Sequence, residues 1–520
     1  PMGKAVIGVL AQKAQSQSQS CFASLPFWAY LPCRSTQHAL QRVAIHCRAA
    51  RALVSSQKPT AFHRYQNLPS FKVCGAIQLF VDLQRAFDCI SRVDLFSRLC
   101  DVGVNTRIAQ LLASWHCQTH YHVAVGGRSH ALPVGSGVRQ GCKAAPWLFN
   151  AFVLLYLRDL AHLIDWRWLR DHMNVYADDI HACCLFYSSD ELQRILSYFG
   201  LIMETLQNKG LTINTSKSAI LLTMGGTSYR HVRSALTYRD HEGEWIKIRG
   251  CVQEFVLPVV KQTKYLGTLI SYQQFELATT RHRLSLAKLA FNRLKRWLTA
   301  RRGLAAEARM RLWTTCVLPI LTYGIFTVGL TKTCLQLLQQ TMFSMLRQVH
   351  HDHAFATGRT HADALTFHNL DSPLRLLWRA ADSLHRSVTK PPLYRHADDL
   401  STQLDWTPLQ SMKDLIQHEL DLGLVVHGPV MPGDEAVWPF EHRCPHCEFS
   451  SVHLPVLRRH LTVEHGITLS PTCSRSFPLY ASWFTTMHPV SCCIHNMEIL
   501  SYSRSEERRV GKECRSRWSP

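Results

Sequence analysis

The sequence has no run of about eighteen consecutive apolar residues, the shortest stretch that commonly spans a bilayer as a helix. It also has no clear secretory signal peptide. We therefore predict no membrane span and no export.

Acidic residues are scarce. There are 37 Asp and Glu against 58 Lys and Arg, which gives a formal net charge of +21. A protein this basic usually has a polyanionic partner, most often nucleic acid. The excess is concentrated between Arg281 and Arg311, where Glu307 is the only acid and aromatic residues are interleaved (Phe291, Trp297, Trp313). Such a run is often a solvated helix face, but the missing acids favour a surface that follows phosphates.

The 19 cysteines do not have the spacing of a small disulfide-stabilised domain, so we expect reduced thiols in an intracellular compartment. A length of 520 residues exceeds one hydrophobic core and predicts two to four folded units. The chain begins at Pro1 rather than at a methionine, so we expect a fragment or a conceptual translation. Residues 504–520 have no apolar period and resemble read-through of a sequencing adapter.

Periodicity and capping residues predict alternating strands and helices in the first half of the chain, which suits an antiparallel sheet with helices on one face. Ser91 and Asn105 should each begin a helix, and Asp88 should cap the helix that follows it. The other predicted elements are strands at 76–83 and 120–125, with a turn at 126–127, and helices at 144–164 and 190–209.

Two adjacent carboxylates lie in the stretch Tyr176-Ala177-Asp178-Asp179, between two apolar segments that predict a strand, a turn and a strand. Like charges side by side repel, and burial raises the pKa of both, so such a pair needs a cation. Asp-Asp equally fits an exposed hairpin turn. Asp82 ends another apolar strand and could share a metal site with the pair, at which two divalent ions would activate a hydroxyl and stabilise leaving pyrophosphate.

A third motif lies between these two, at residues 139–150, where Gly141 precedes a predicted helix and allows close approach to the backbone. In order, the stretches F-V-D-L-x-x-A-F-D (80–88), R-Q-G-C-x-x-x-P-x-L-F-N (139–150) and Y-A-D-D (176–179) resemble motifs A, B and C of a reverse transcriptase of the non-LTR (LINE-type) retrotransposons. Residues 210–218 and 264–267 resemble its next two motifs, residues 30–36 its fingers and residues 319–324 its thumb. Together these ordered motifs are far more specific than any one of them.

The resemblance implies roles for single residues. Asp82 and Asp178 would bind two Mg²⁺ or Mn²⁺ ions, with Asp179 as the third carboxylate. Phe87 would exclude a ribose 2′-hydroxyl and so select deoxynucleotides; the less favoured alternative is a core phenylalanine. Lys217 would donate a proton to the leaving pyrophosphate; the alternative is a surface lysine. The residues that would contact nucleotide or phosphate are Leu83, Arg139, Gln140 and Gly141.

The resemblance also has departures. Lys143 and Ala145 stand where the family often has Pro and Ser, which affects how the helix begins. The basic fingers strand expected before residues 2–4, and any upstream endonuclease, have no counterpart. We therefore expect an N-terminally truncated chain that is inactive as it stands even though its palm is intact.

A compact cysteine-histidine module follows a linker. Cys444 and Cys447, then His460 and His465, have the C-x2-C-x12-H-x4-H spacing of a C2H2 zinc finger, which predicts one structural, tetrahedral Zn²⁺. Chance spacing among the 29 histidines is the alternative. No spacing among the cysteines and histidines of residues 473–495 matches a second site.

The predicted fold is α+β: a right-hand polymerase with an antiparallel palm sheet, a helical thumb and a ββα zinc finger. Its parts are partial fingers (1–70), palm (71–275), thumb (276–350), a helical connection and linker (351–440), the zinc finger (441–470) and an irregular tail (471–520).

The favoured function is RNA-directed DNA polymerisation, with an RNA template, a DNA primer or target and deoxynucleotides as partners, in the nucleus or a ribonucleoprotein particle. A decayed, inactive nucleic-acid-binding protein remains the alternative, and Phe87 disfavours an RNA-templated RNA polymerase.

Overall fold

The computed structural model describes residues 2–57, 71–117, 119–126, 128–139, 141–300, 302–389, 399–422, 442–443, 447, 450–451, 460 and 463–466. The predicted residues Gln140 and Cys444 lie outside this set. The described residues fall into two compact units, one of residues 1–349 with 370–424 and one of residues 350–369 with the described part of 425–520.

The first unit begins with two helices, continues as an alternation of strands and helices, and ends in helices. Its elements to residue 225 are α1 (Met2–Ala23), α2 (Thr36–Ser56), β1 (Cys74–Val81), β2 (Leu83–Gln84), α3 (Ala86–Cys89), α4 (Arg92–Ser97), α5 (Thr106–Cys117), β3 (His120–Val125), β4 (Arg128–Pro133), α6 (Ala145–Leu160), α7 (Trp166–His172), β5 (Met173–Tyr176), β6 (Asp179–Phe186), α8 (Ser189–Asn208), β7 (Thr212–Ile213) and β8 (Ala219–Gly225).

The elements that follow residue 225 are α9 (Tyr229–Leu236), β9 (Thr237–Arg239), β10 (Glu244–Arg249), β11 (Glu254–Val260), β12 (Gln262–Tyr265), β13 (Thr268–Ser271), α10 (Phe275–Leu298), α11 (Ala306–Cys316), α12 (Leu318–Thr322), α13 (Ile325–Val328), α14 (Lys332–His350), α15 (Ala354–Thr357), α16 (His361–Phe367), α17 (Pro373–Thr389), α18 (Thr407–Asp421), β14 (His442–Arg443) and β15 (Ser450–Ser451). Short 3₁₀ helices lie at Leu99–Val102 and Leu400–Gln403.

A seven-stranded sheet with the order β5-β6-β1-β8-β11-β10-β9 forms the centre of the first unit. Its pairs are antiparallel except β8 with β11, which run parallel with Val259 opposite Ile220. The prediction of an antiparallel sheet is therefore wrong for this one pair. The chain leaves β8 at one end of the sheet and returns through α9, β9 and β10, so β11 enters in the same direction as β8.

Local capping chemistry places several helix ends where the sequence predicts them. The Ser91 hydroxyl accepts a hydrogen bond from Asp94 N, and the Asn105 side chain accepts one from Arg107 N, so both residues begin their helices as expected. Asp88 is different, because it lies inside α3 and Ser91 caps the next helix. The expectation that Asp88 caps that helix is wrong.

Helix α6 is buried on almost all sides, from Ala145 to Leu160, within the main hydrophobic core of the first unit. A helix that is apolar all round is typical of the interior of a large domain. It packs against α4 on one side and α8 on another. The interior position of α6 fixes the residues at its start, which the sequence links to nucleotide binding.

The helices after residue 275 form a second core around Trp313, Phe291 and Met342. This changes the interpretation of the basic run. Phe291 and Trp313 are core residues, and so are not free to stack on a base. Two of the basic residues are buried as well: Arg309 donates to the carbonyl oxygens of Val349 (3.0 Å) and Ala300 (2.6 Å), and Arg283 donates to that of Gly267.

One described stretch, Ala306–Val328, is long and apolar enough to cross a membrane, judged by length and composition alone. It is broken into α11, α12 and α13 by turns after Cys316 and Thr322. Trp313, Leu321 and Ile325 are each fully buried in the helical core. Four more apolar residues of this stretch are partly buried against the same core (Met310, Leu312, Leu318, Ile320).

Gly200 on α8 allows a test of how closely this helix packs on the β10–β11 hairpin of the sheet. A Cβ atom at this position would overlap the carbonyl oxygen of Arg249 at the end of β10, and Glu204 one turn later accepts hydrogen bonds from Cys251 N and Val252 N. We expect Gly200→Ala to lower the urea midpoint of unfolding. The backbone overlap should cost about 2–4 kcal/mol, which exceeds the gain of about 1 kcal/mol in helix propensity.

The matched control for Gly200→Ala is Ser197→Ala on the exposed face of the same helix. Ser197 Oγ bonds only Arg194 O within its own helix, so its removal should leave the midpoint within error. Equal midpoints for the two variants would contradict the close packing of α8 on the β10–β11 hairpin.

Candidate active site

The three predicted carboxylates come together at one edge of the sheet. Strands β1 and β6 pair with Val81 opposite Ile180, and continuing this register by one residue places Asp82 opposite Asp179. Residues directly opposite on antiparallel strands have Cα atoms roughly 4.5–5.5 Å apart. Asp178 precedes Asp179 in the turn between β5 and β6, so the three carboxylates lie in one neighbourhood, in which their ligand oxygens are not all within 4.8 Å of one another.

Electrostatics agree with this convergence. Burial, the charge of Asp178 and the charge of Asp82 together raise the pKa of Asp179 to about 6. Two neighbouring carboxylates that resist the ionisation of a third make the site favourable for cations, because a divalent ion would remove the repulsion. Asp178 is exposed and Asp82 half-buried, so the site is open to solvent.

The turn that carries Asp178 has an unusual backbone. Ala177 has a φ of +53°, in the left-handed region that alanine rarely adopts, and Tyr176 pairs with Asp179 across the turn. Tight two-residue hairpin turns require positive φ, normally from Gly or Asn. The sequence predicts the hairpin, but nothing in Ala177 itself indicates this strain, which characteristically occurs at functional sites.

The backbone of Asp82 is held from the turn between β7 and β8. Ser218 Oγ accepts a hydrogen bond from Asp82 N (3.0 Å), and Asn214 N donates to Asp82 O (2.8 Å). Lys217 lies in the same turn, one residue before Ser218, and is exposed. The turn therefore places the predicted Lys217 on the Asp82 side of the site and gives Ser218 and Asn214 supporting roles that their motif alone does not indicate.

Tyr30 is a neighbour of the site that sequence reasoning missed. The segment 26–28 lies along the edge of β5, with Trp28 N donating to Val175 O (3.0 Å), and Asn150 of α6 donates to Ala29 O (2.8 Å). Burial and the charge of Asp178 both raise the pKa of Tyr30, which therefore remains a neutral hydroxyl donor. The sequence signal that could have identified Tyr30 is its position at the start of the fingers-like motif of residues 30–36.

Phe87 is half-buried in α3, five residues after Asp82. Its ring stacks on that of Phe149 in α6, with centroids 4.4 Å apart and planes at 22°. The side chain of Leu83 is only 6% exposed and belongs to the core, so only its backbone remains for the predicted nucleotide contact.

The start of α6 shows the effect of Lys143 and Ala145. The helix begins at Ala145 with no side-chain cap and with Pro146 in its first turn. Gly141, with a φ of +79°, and Arg139 are both exposed just before it. The departures from the family pattern thus leave the helix start intact, and the loop presents Arg139 and Gly141 to solvent.

An exposed basic surface remains on α10, α11 and the turn between them after the buried arginines are set aside. Trp297 is 52% exposed and has the Arg296 guanidinium 5.5 Å from its ring centroid. Within the described part of the chain, no ion pair neutralises the members of this surface (Arg281, Lys288, Arg293, Lys295, Arg296, Arg302, Arg311).

In the second unit, three of the four predicted zinc ligands lie together. Cys447 Sγ is 3.1 Å from His460 Nε2, and His465 Nε2 is 3.2 Å from the same atom. All three donor atoms lie within 4.8 Å of one another. A tetrahedral zinc site separates its ligand atoms by roughly 3.3–3.7 Å, so these side chains are close to the required spacing. The paired strands β14 and β15 bracket Cys447.

Comparison with known proteins matches the part of the chain that contains the carboxylates. Residues 36–270 match the family model of reverse transcriptase (RNA-dependent DNA polymerase). This range includes β1, the loop before α6, and the β5–β6 hairpin, and so contains all three carboxylates.

Curated relatives extend the match at low identity. A Pol polyprotein of the type-1 retrotransposable element R2 from Popillia japonica is 23% identical over 284 residues, 52% of this chain and 42% of the relative. The RNA-directed DNA polymerase of the mobile element jockey from Drosophila funebris is 26% identical over 281 residues, 52% of this chain and 28% of the relative.

A probable RNA-directed DNA polymerase of transposon BS from Drosophila melanogaster is 23% identical over 363 residues, 68% of this chain and 36% of the relative. The chain therefore spans less than half the length of each of these relatives. Among solved structures, apo telomerase from Candida tropicalis aligns with 81% of this chain and 60% of its own, at 10% identity and a TM-score of 0.37, a score too low to establish a shared fold.

Proposed function

We propose that this chain, which carries a reverse transcriptase domain over residues 36–270, is the RNA-directed DNA polymerase of a non-LTR retrotransposon. The observation that carries the proposal is the convergence of Asp82 on the Asp178–Asp179 hairpin. Three carboxylates at one open sheet edge fit two Mg²⁺ or Mn²⁺ ions, because hard cations prefer oxygen ligands and relieve the mutual repulsion.

In this proposal Asp82 and Asp178 hold both metal positions, and Asp179 completes the set. When bound, the ions would activate the primer 3′-hydroxyl and stabilise the charge on the leaving pyrophosphate. The hydrogen bonds from Asp82 N to Ser218 and from Asn214 N to Asp82 O fix one ligand, and the strained Ala177 turn fixes the other two. Rigid ligands reduce the reorganisation needed during reaction.

Substrate binding is assigned to residues around this edge. Phe87 would meet the sugar of the incoming nucleotide and exclude a 2′-hydroxyl, while Gly141 and Gln140 would lie beside nucleotide and template. Arg139 and Lys217, both exposed, could neutralise triphosphate charge, and Lys217 could protonate the pyrophosphate. The exposed basic surface with Trp297 would follow the RNA–DNA duplex through phosphate contacts.

Primer extension tests this function directly. The full chain should incorporate dTTP on a poly(rA)/oligo(dT) substrate when magnesium is present, and chelation of magnesium should stop it. Absence of any magnesium-dependent incorporation, with primer-template binding retained, would favour the second candidate function.

That second candidate is an inactive, decayed protein that only binds nucleic acid. The observation in its favour is the exposed, unneutralised basic surface. A binder would have no reason to hold three like charges together, so the intact Asp82, Asp178 and Asp179 favour the polymerase.

We further propose a right-hand polymerase architecture, with fingers in residues 1–70, palm in 71–275 and thumb in 276–350, acting in the nucleus or a ribonucleoprotein particle. The central sheet and the helices α10 to α14 are compatible with the palm and thumb of this division.

The Cys447, His460 and His465 cluster is proposed to hold one structural Zn²⁺, with Cys444 as the fourth ligand. Because a structural zinc site supplies much of the folding free energy of so small a module, metal removal should unfold it. We expect a zinc content of about one per chain by atomic spectroscopy, and chelation should abolish protection of residues 440–466 in hydrogen exchange.

His460→Ala should lose both the zinc and the protection, whereas His442→Ala, on the neighbouring strand β14, should keep them. Protection that survives chelation would contradict the zinc assignment. That result would say nothing about polymerisation by the full chain, so the zinc site and the polymerase function are tested separately.

A further inference from the structure

The backbone that carries Phe87 rests on the loop between β4 and α6. Residues 134–139, here named the support loop, contact this backbone through three hydrogen bonds: Val138 N donates to Phe87 O (2.8 Å), Gly137 N to Ile90 O (2.8 Å) and Ser136 Oγ to Asp88 O (3.0 Å). The position of Phe87 therefore depends on a segment far from it in sequence.

Gly137 is the point of closest approach. Its φ is +78°, and a Cβ atom there would lie 2.6 Å from Asp88 Cα and 2.8 Å from Phe87 O. Both contacts are with backbone, which cannot rotate away as a flexible side chain can. Any larger residue would have to push the Phe87–Asp88 backbone off the support loop or strain the loop itself.

Phe149 holds the ring of Phe87 from α6. The two rings stack 4.4 Å apart, and Phe149 is fully buried, so its own position is fixed by the core. Stacked aromatic pairs of this kind add directional preference to simple burial. The backbone and the ring of Phe87 are thus fixed by two different elements.

Arg92 ties the support loop to the helices beside it. Its buried guanidinium donates to Gly137 O (2.7 Å), Val134 O (2.6 Å) and His116 O at the end of α5 (2.8 Å). Three carbonyl partners on two segments leave the loop little freedom. The surface on which Phe87 rests is therefore rigid.

We propose that Gly137 and Phe149 are positioning residues that set how strictly Phe87 excludes ribonucleotides. The inference rests on the proposed polymerase function and on Phe87 as the group that meets the sugar. Steric exclusion of one hydroxyl depends steeply on distance, because repulsion between atoms changes over a fraction of an ångström. A shift of Phe87 by that amount would relax discrimination without removing any group that contacts substrate.

Selectivity is the quantity to measure: the ratio of kcat/KM for dTTP to that for UTP, on poly(rA)/oligo(dT) with the full chain. We expect Gly137→Ala and Phe149→Leu each to lower this ratio by roughly five- to fiftyfold, within the range that one small steric contact controls. General destabilisation would lower both rates together and leave the ratio unchanged. Gly135→Ala is the matched control, because that position has open space and should keep the ratio within about twofold of the unaltered chain.

If Gly137→Ala does not fold, Phe149→Leu and Ser136→Ala still decide the question, because neither adds atoms to the core. An unchanged ratio in folded Phe149→Leu and Ser136→Ala, with a lowered ratio in Phe87→Ala, would overturn the inference and leave the polymerase function standing. Failure of the proposed function looks different: the unaltered chain would incorporate no dTTP, and both proposals would then fall.

Discussion

Asp178→Asn should reduce dTTP incorporation by at least about 10³-fold, which corresponds to roughly 4 kcal/mol of lost transition-state stabilisation. The amide has nearly the same shape but no charge, so it cannot offset the charge of a divalent cation. Asp178 is exposed in a turn, and its replacement should leave the fold and primer-template binding unchanged. Primer extension with magnesium measures the activity, the unfolding midpoint measures the stability of the fold, and a binding isotherm measures the affinity for primer-template.

Asp190→Asn is the control for this loss, since Asp190 is equally exposed and lies in the first turn of the following helix α8. It should polymerise at the rate of the unaltered chain. Asp82→Asn should match Asp178→Asn, because the β1–β6 register places Asp82 opposite Asp179, the residue next to Asp178. Activity in Asp178→Asn above about a tenth of the unaltered rate would contradict the metal site, since one carboxylate of such a site contributes several kcal/mol.

Phe87→Ala should raise the use of ribonucleotides relative to deoxynucleotides by roughly 10- to 100-fold. Removing the ring opens the space that a 2′-hydroxyl needs, so UTP incorporation increases while dTTP incorporation changes little. The measurement is the ratio of kcat/KM values for the two nucleotides on the same primer-template.

A core role for Phe87 predicts a different result. Loss of a core phenylalanine costs about 3–5 kcal/mol of stability and would reduce both activities together. Phe96→Ala gives the comparison, because Phe96 is also half-buried against the main core and has its ring beside His116. If Phe87→Ala behaves like Phe96→Ala and leaves the ratio of ribonucleotide to deoxynucleotide use unchanged, Phe87 is a core residue with no role in nucleotide selection.

Much of the local structure was predictable because it depends on short-range chemistry. Ser91 and Asn105 cap their helices with their own side chains, and α8 ends at Asn208, one residue before its predicted end, with Gly210 at a φ of +80° just after it. The β5–β6 hairpin follows from two apolar segments joined by a polar pair. Each feature depends on residues within a few positions of one another.

The exposure of single residues was not predictable in the same way. Within the basic run, Arg283 and Arg309 are buried donors to carbonyl groups, and Phe291 and Trp313 are core residues. A sequence pattern identifies charge and aromatic content, but which face of a helix meets a neighbour depends on how the helices pack. The same limit applies to Leu83, predicted beside a nucleotide but buried with the core.

The sequence alone determined which chemistry this protein carries: three carboxylates, a phenylalanine five residues after the first, a basic run and a Cys-His module, in an order that resembles reverse transcriptases. Tertiary structure alone decided that Asp82 faces Asp179 across a strand pair, that Ser218 and Asn214 hold its backbone, and that Gly137 lies beneath Phe87. The physical reason is that strand register and backbone contact join residues distant in sequence, and these are set by the packing of the whole core rather than by any local pattern.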